Sequence, residues 1–212
     1  MKRKIVTKLM AIVLAGVLLT GSVTPGFHMS RVQAAEDLFN TRYDFNFEDG
    51  IEGWYYGEGW EYQYNGAKPT LESDTENGRM KIAVDFSQDA DKNWSNIAAC
   101  WKSEEGIDLS GVTQISMDIW YETEKLTEGE LKLAFYSNCG IDVNTSLIDV
   151  QEEEGTGLTK ARAVFGFPAI GSDAVTDLAV KIVGCNTGYS GAVWIDNIQL
   201  VGEPNDRLKY SL

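Results

Sequence analysis

The sequence predicts an all-β fold: an antiparallel two-sheet β-sandwich of the jelly-roll, galactose-binding-domain-like kind. Three observations carry that reading. Short segments alternate apolar and polar residues with period two. Gly-rich turn signals separate them, and no stretch longer than about ten residues keeps the 3.6-residue period of an amphipathic helix. Many short strands joined by tight turns bury their apolar faces by packing one sheet on another.

In chain order, residues 43–48 form the first segment, closed by Asp49-Gly50. Residues 60–64 alternate Trp60, Tyr62 and Tyr64 with Glu61 and Gln63, and Asn65-Gly66 follows. After Asn77-Gly78, segment 79–86 puts Met80, Ile82, Val84 and Phe86 on one face and Lys81, Ala83 and Asp85 on the other. Segment 96–102 precedes Ser110-Gly111. Segment 114–122 sets Ile115, Met117 and Ile119 against Ser116, Asp118 and Trp120. Segment 131–137 sets Leu131, Leu133 and Phe135 against Lys132, Ala134 and Tyr136, and a turn region at 152–157 follows. Segments 161–167, 177–184 and 192–201 complete nine strands, and Pro204-Asn205 ends the last.

The first 35 residues read as a secretory leader. Lys2, Arg3, Lys4 and Lys8 form a basic end, residues 9–19 an apolar core, and Ala34 and Ala35 offer small residues for cleavage. An apolar run of 11 residues is too short for the roughly 20 that span a bilayer. The organisation expected is therefore a leader over 1–35, one sandwich over 36–203 and a polar tail or linker stump over 204–212, in a secreted, extracellular protein.

The leader holds five of the 18 Lys and Arg and none of the 32 Asp and Glu. The rest carries 13 positive against 32 negative side chains, a net charge of −19. Such a surface repels nucleic acid and anionic membranes and suits a neutral polymer. The only histidine, His28, lies in the leader, so a Ser-His-Asp or Cys-His triad and a zinc site built on imidazole are excluded from the remainder. Cys100, Cys139 and Cys185 show no Cys-x-x-Cys spacing, and either one bridge or buried free thiols fit their number.

What stands out instead is aromatic content. Residues 54–64 read Trp-Tyr-Tyr-Gly-Glu-Gly-Trp-Glu-Tyr-Gln-Tyr. One sandwich core has limited room for six Trp. Trp54 and Trp194 read as core. Trp94, flanked by Asp91, Lys92, Asn93, Ser95 and Asn96, reads as exposed. Trp120 falls on the polar face of its strand, either outward or toward a concave binding face, and Trp101 fits either environment. Exposed indole beside carboxylates and amides suits a sugar: the ring stacks on C–H groups while Asp, Glu, Asn and Gln take hydroxyls.

Three stretches, taken together, resemble the non-catalytic carbohydrate-binding modules of the β-sandwich kind, most nearly the mannan-binding modules of families 23 and 27 attached to bacterial β-mannanases. They are Tyr43-Asp44-Phe45-Asn46-Phe47-Glu48-Asp49-Gly50 with Gly53-Trp54 and Gly59-Trp60; Asn93-Trp94-Ser95 with Leu109-Ser110-Gly111 and Ser116-Met117-Asp118-Ile119; and Ile182-Val183-Gly184 with Trp194-Ile195-Asp196-Asn197-Ile198-Gln199-Leu200. The resemblance covers nearly the whole chain after the leader. It implies binding of β-mannan, galactomannan or glucomannan, with a catalytic domain as companion. Trp60 matches the stacking Trp after the Gly-rich turn, and Trp94 matches the one in an Asn-Trp loop. A third aromatic is expected after 131–137, but Asn138-Cys139-Gly140-Ile141 has none, so Tyr136 or Trp101 would substitute. Tyr62 would assist, and Glu58 or Glu61 would take hydroxyls. The resemblance also implies a structural calcium where first and last strands meet, held by Asn46, Glu48 and Asp196 with backbone carbonyls.

Two other readings stay open. Glu72-Ser73-Asp74-Thr75-Glu76 has the Glu-x-Asp-x-Glu spacing of certain jelly-roll glycoside hydrolases, in which carboxylates on one strand face flank the scissile bond. Here the spacing runs straight into the Asn77-Gly78 turn. A protein-binding sandwich, with the aromatics as interface anchors, is the third reading.

Overall fold

Period-two alternation sends every second side chain inward, and the structure follows that rule in all its central strands. The computed structural model describes residues 39–171 and 174–204. The leader expected over 1–35 and residues 205–212 of the expected tail lie outside the described residues. Twelve strands appear: β1 (Phe39–Phe45), β2 (Tyr55–Tyr56), β3 (Thr70–Asp74), β4 (Arg79–Asp85), β5 (Ser95–Ile107), β6 (Val112–Glu122), β7 (Glu130–Ser137), β8 (Ile141–Ser146), β9 (Ile148–Glu153), β10 (Leu158–Gly166), β11 (Val175–Cys185) and β12 (Ser190–Pro204). The one helical element among the described residues is a 3-10 turn at Thr123–Lys125.

The strands form two antiparallel sheets, as expected. One runs β3-β4-β12-β6-β10-β9, with β1 also on β12, and the other runs β2-β5-β11-β7-β8. The core lies between them. Met80, Ile82, Ile115, Met117 and Ile119 come from the seven-stranded sheet; Ile97, Leu133, Phe135, Val180 and Ile182 come from the five-stranded one; all are buried. At one end an aromatic cluster closes the core: the Phe45 ring meets Trp54 edge-on at 5.1 Å and Trp101 at 5.5 Å.

Strand β12 changes neighbour along its length. Ser190 to Ile195 pair with β4, whereas Ile198 to Pro204 pair with β1. The change falls at a register shift between Asp196 and Gln199, where Asn197 takes a positive φ of 51°. Because β1 runs antiparallel to β12, Phe39 lies opposite Pro204.

Five departures from the expected elements have physical causes. Strands β3, β8 and β9 are edge or near-edge strands whose polar sequences give little hydrophobic signal; β9 reads Ile-Asp-Val-Gln-Glu-Glu and is exposed nearly throughout. Segment 60–64 is not a strand. It touches the sheet through one bridge, Tyr62 to Asn96, and Gln63 at φ 54° breaks the alternation, so Tyr64 turns inward against Phe86 while Trp60 and Tyr62 stay exposed. Trp194 is not core. Val193 and Ile195 point inward, which leaves Trp194 half-exposed on the outer face, in one row with Lys81, Trp120 and Lys160.

Trp120 takes the outward place on that sheet, capped by charge. The Arg79 guanidinium lies 3.7 Å from its ring centroid, Lys160 lies at 4.7 Å, and its Nε1–H donates to Glu153 at 2.8 Å. The three cysteines are all free. Burial pushes the Cys100 thiol up to about 11, so it stays protonated and unreactive at neutral pH.

Candidate functional site

The outer face of the five-stranded sheet is a groove. Its floor follows from register. Ala98 on β5, Lys181 on β11, Ala134 on β7 and Asn144 on β8 stand opposite one another in one row across the sheet. Cys100, Ala179, Tyr136 and Asp142 form the next row. With strands about 4.8 Å apart, each row spans roughly 14 Å. Alanines and a cysteine keep the floor low, and longer side chains stand at intervals along it.

The walls are aromatic. On one side Gly57 donates its N–H to Ala98 O at 2.9 Å, then residues 58–61 rise off β5 before Tyr62 and Asn96 exchange backbone hydrogen bonds at 3.1 and 3.0 Å. The raised segment presents Trp60, 39% exposed, and its ring meets Tyr136 edge-on at 5.0 Å. On the other side Trp94, half-buried, packs on Ala134, Val183 and Cys185 just before β5 begins. Trp60, Tyr62 and Trp94 share one concavity of about 400 Å³, within the range of ligand clefts. Lys181 stands inside it, 6.0 Å from the Trp60 centroid and 5.9 Å from that of Tyr136.

One buried carboxylate braces both walls. Asp89, 1% exposed, accepts from the Asn65 N–H at 3.1 Å, from Asn65 Nδ2 at 2.5 Å and from Ser95 Oγ at 3.0 Å. It thereby ties the loop behind Trp60 and Tyr62 to the turn that carries Trp94. Charge-assisted hydrogen bonds of this kind are shorter and stronger than neutral ones.

The close approach at Gly57 makes a prediction. An added Cβ would lie 2.4 Å from Cys100 Sγ and 3.4 Å from Ala98 O. Gly57→Ala must lift the Trp60 segment from the floor. The expected outcome is a severalfold loss of ligand affinity with β5 and the core intact, read by calorimetric titration beside a thermal unfolding curve.

The structure therefore brings together Trp60, Tyr62, Trp94 and Tyr136, with the Tyr136 ring against that of Trp60. It does not bring Trp101, Glu58 or Glu61 there. Trp101 is a correction: alternation along β5 turns it inward with Ile97 and Ala99, 8% exposed, against Tyr43 and Phe45. Glu58 is paired with Lys68 at 3.0 Å. Glu61 accepts from the Gly59 N–H at 2.7 Å and so holds the raised turn instead of facing the groove.

Sequence reasoning missed Asn96, Asp142, Asn144 and Lys181. Lys181 interrupts the apolar run 178–183 and Asn96 adjoins the apolar run 97–101, a weak signal in each case; β8, which carries Asp142 and Asn144, went unrecognised.

The acidic motif lies elsewhere. Glu72 and Asp74 sit on edge strand β3, where Glu72 faces Lys81 at 3.8 Å and Asp74 accepts from Asn77 Nδ2 at 3.1 and 3.0 Å, and Glu76 falls in the turn. Among the described residues that line the groove only Asp142 is a carboxylate, whereas the common hydrolysis of a glycosidic bond uses two.

The residues expected to hold calcium lie near the β12 register shift. Burial raises the Asp196 carboxyl, and the charges of Asp118 and Glu48 raise it further against the opposing Arg79. Asn46 Oδ1 accepts from the Glu48 N–H at 3.2 Å. Among the described residues no three His, Cys, Asp or Glu side chains are gathered at metal distance. The excess of carboxylate charge around Asp196 fits a cation whose shell mixes side-chain and carbonyl oxygens.

A family model settles the relationship: that of carbohydrate binding module 27 matches residues 32–203. The chain belongs to the carbohydrate-binding module 27 family. No curated protein sequence matches it closely enough to count as a relative. Among solved structures, the family 27 module TmCBM27, described for specific mannan recognition, is 18% identical with a TM-score of 0.60 over 78% of this chain and 98% of that one. The CBM27-1 module of Caldicellulosiruptor saccharolyticus, solved in complex with mannohexaose, is 17% identical with a TM-score of 0.60 over 77% and 98%. A CBM28 module specific for non-crystalline cellulose is 16% identical with a TM-score of 0.53 over 74% and 92%. At these identities the likeness is one of fold, and it agrees with the sandwich built above.

Proposed function

We propose that this family 27 module attaches to β-mannan, including galactomannan and glucomannan, and breaks no bond in it. The observation that carries this reading is the groove: aromatic walls beside a low floor, in a member of a carbohydrate-binding family. A sugar ring set edge-on between such walls offers its C–H faces to Trp60 and Trp94 and its hydroxyl edge to the floor. Tyr136 and Tyr62 extend the aromatic surface. The module is exported, with its leader removed after Ala34 or Ala35, and keeps an associated glycoside hydrolase at its polymer, where attachment raises the local substrate concentration. No helix among the described residues is long and apolar enough to cross a membrane.

Native affinity electrophoresis in gels containing galactomannan, glucomannan, xylan or hydroxyethylcellulose tests the reading. Retardation by the mannans alone supports it; free migration in all four gels overturns it. Incubation with mannan should release no reducing sugar, and release that is lost in Glu72→Gln or Glu76→Gln would restore the hydrolase reading.

Calcium belongs to the same proposal. Glu48 and Asp196, with Asn46 beside them, would hold the ion, which would offset the carboxylate charge gathered around Asp196. Added calcium should then raise Tm and a chelator lower it, and Asp196→Ala should remove that response. A Tm indifferent to both reagents in the parent protein would exclude calcium there.

A further inference from the structure

We propose that Asn96 and Lys181 form the hydroxyl-reading pair of the groove, and that Lys181 sets its preference for mannose over glucose; this rests on the mannan reading above. Two observations point to the pair. Asn96 is 3% exposed at the edge of the groove floor, and its Oδ1 has no hydrogen-bond partner. Buried amide oxygens are nearly always paired, so an orphan of this kind marks a missing partner. Lys181 is the complementary case. Its ammonium lies beside the Trp60 and Tyr136 ring pair, 6.0 and 5.9 Å from the two centroids, and no carboxylate among the described residues lies within ion-pair distance of it. Aromatic contacts at that range use none of its N–H donors in a conventional hydrogen bond.

An unpaired acceptor and an uncommitted donor on adjacent rows of one floor call for a group that both donates and accepts. A sugar hydroxyl does both. The alanines at 98 and 134 flank Lys181 in its row, so a hydroxyl-bearing ring edge can descend to the ammonium. Stacking on the walls reads only C–H faces and separates β-1,4-linked mannose from β-1,4-linked glucose poorly. The two sugars differ at C2, where the hydroxyl is axial in mannose and equatorial in glucose. Directional polar contacts can tell those orientations apart, and a site built to hydrogen-bond a hydroxyl discriminates strongly against a ligand that lacks it there.

Calorimetric titration of the parent protein, Lys181→Met and Lys181→Arg with mannohexaose and cellohexaose tests the assignment, with Tm measured for each. Met keeps most of the length of the stem but has no donor; Arg keeps donors. Lys181→Met should lose about tenfold or more in mannohexaose affinity, as removal of a charged hydrogen-bond partner predicts, and approach the cellohexaose value, which changes less than about threefold. Lys181→Arg should retain most of the preference. Equal loss for both sugars, or no loss for either, overturns the assignment while leaving the mannan reading in place. Failure of the parent protein to bind mannohexaose overturns both.

Discussion

Trp60→Ala will remove most of the mannan affinity and leave the unfolding curve close to that of the parent protein. Trp60 is 39% exposed on a segment raised from the sheet, and its ring meets Tyr136 edge-on at the outer face of the five-stranded sheet. Its covered area lies on the outer face of the sheet, where truncation opens no closed cavity in the core, so the stability cost is smaller than that of a core tryptophan. The ligand loses a wall. Truncating a central aromatic anchor in a recognition site costs about 2 kcal/mol or more, roughly a thirtyfold weakening. Trp94→Ala should weaken binding comparably but with a measurable fall in stability, since that ring also covers Ala134, Val183 and Cys185. Isothermal titration with mannohexaose and urea unfolding of the same samples separate the two effects. Unchanged affinity in Trp60→Ala would move the site away from this groove.

Trp101→Ala will do the reverse. Trp101 packs against Tyr43 and Phe45 at the aromatic end of the core, and its removal leaves a cavity that the surrounding strands can fill only in part. Large-to-small replacements of this size cost about 3–5 kcal/mol. For a protein of this length that is a fall in Tm of order 10 °C. Its ring lies on the opposite face of β5 from Ala98 and Cys100, so the fraction that remains folded should bind mannohexaose with the parent's affinity. A folded Trp101→Ala protein with no affinity would show that the ring acts on the groove through β5.

The contrast between these two tryptophans shows where the sequence was legible. The central strands were, because burial on one face imposes period two, and Met80, Ile82, Ile115, Met117, Leu133 and Phe135 all point inward as their spacing requires. The strand at 96–102 was legible as a strand but not in its facing. Ile97, Ala98, Ala99, Cys100 and Trp101 are all apolar, because β5 is covered on one face by the core and carries the small-residue floor on the other. Trp194, between Val193 and Ile195, was misread for the same reason. Trp60 stood out through the family resemblance, by its Gly-rich turn; Trp94, expected to be exposed from its polar neighbours, is half-buried because its ring covers Ala134, Val183 and Cys185. Tyr136 was recognised only as a substitute, because a Tyr within a strand is ordinary. The polar floor was the least visible part: Lys181, Asn96 and Asn144 meet through pairing between β5, β11, β7 and β8, which no local spacing encodes.

The pairing of Phe39 with Pro204 has a mechanical consequence. The two ends of the described fold leave the same corner of the seven-stranded sheet, on the side away from the groove. A pull applied at both ends therefore loads the β1–β12 ladder from its terminus, opening one hydrogen-bonded pair at a time instead of shearing all of them together. Peeling of this kind yields at low force. Under such a two-ended pull, β1 would give way before the five-stranded sheet that carries the groove, and the groove would outlast the first mechanical failure.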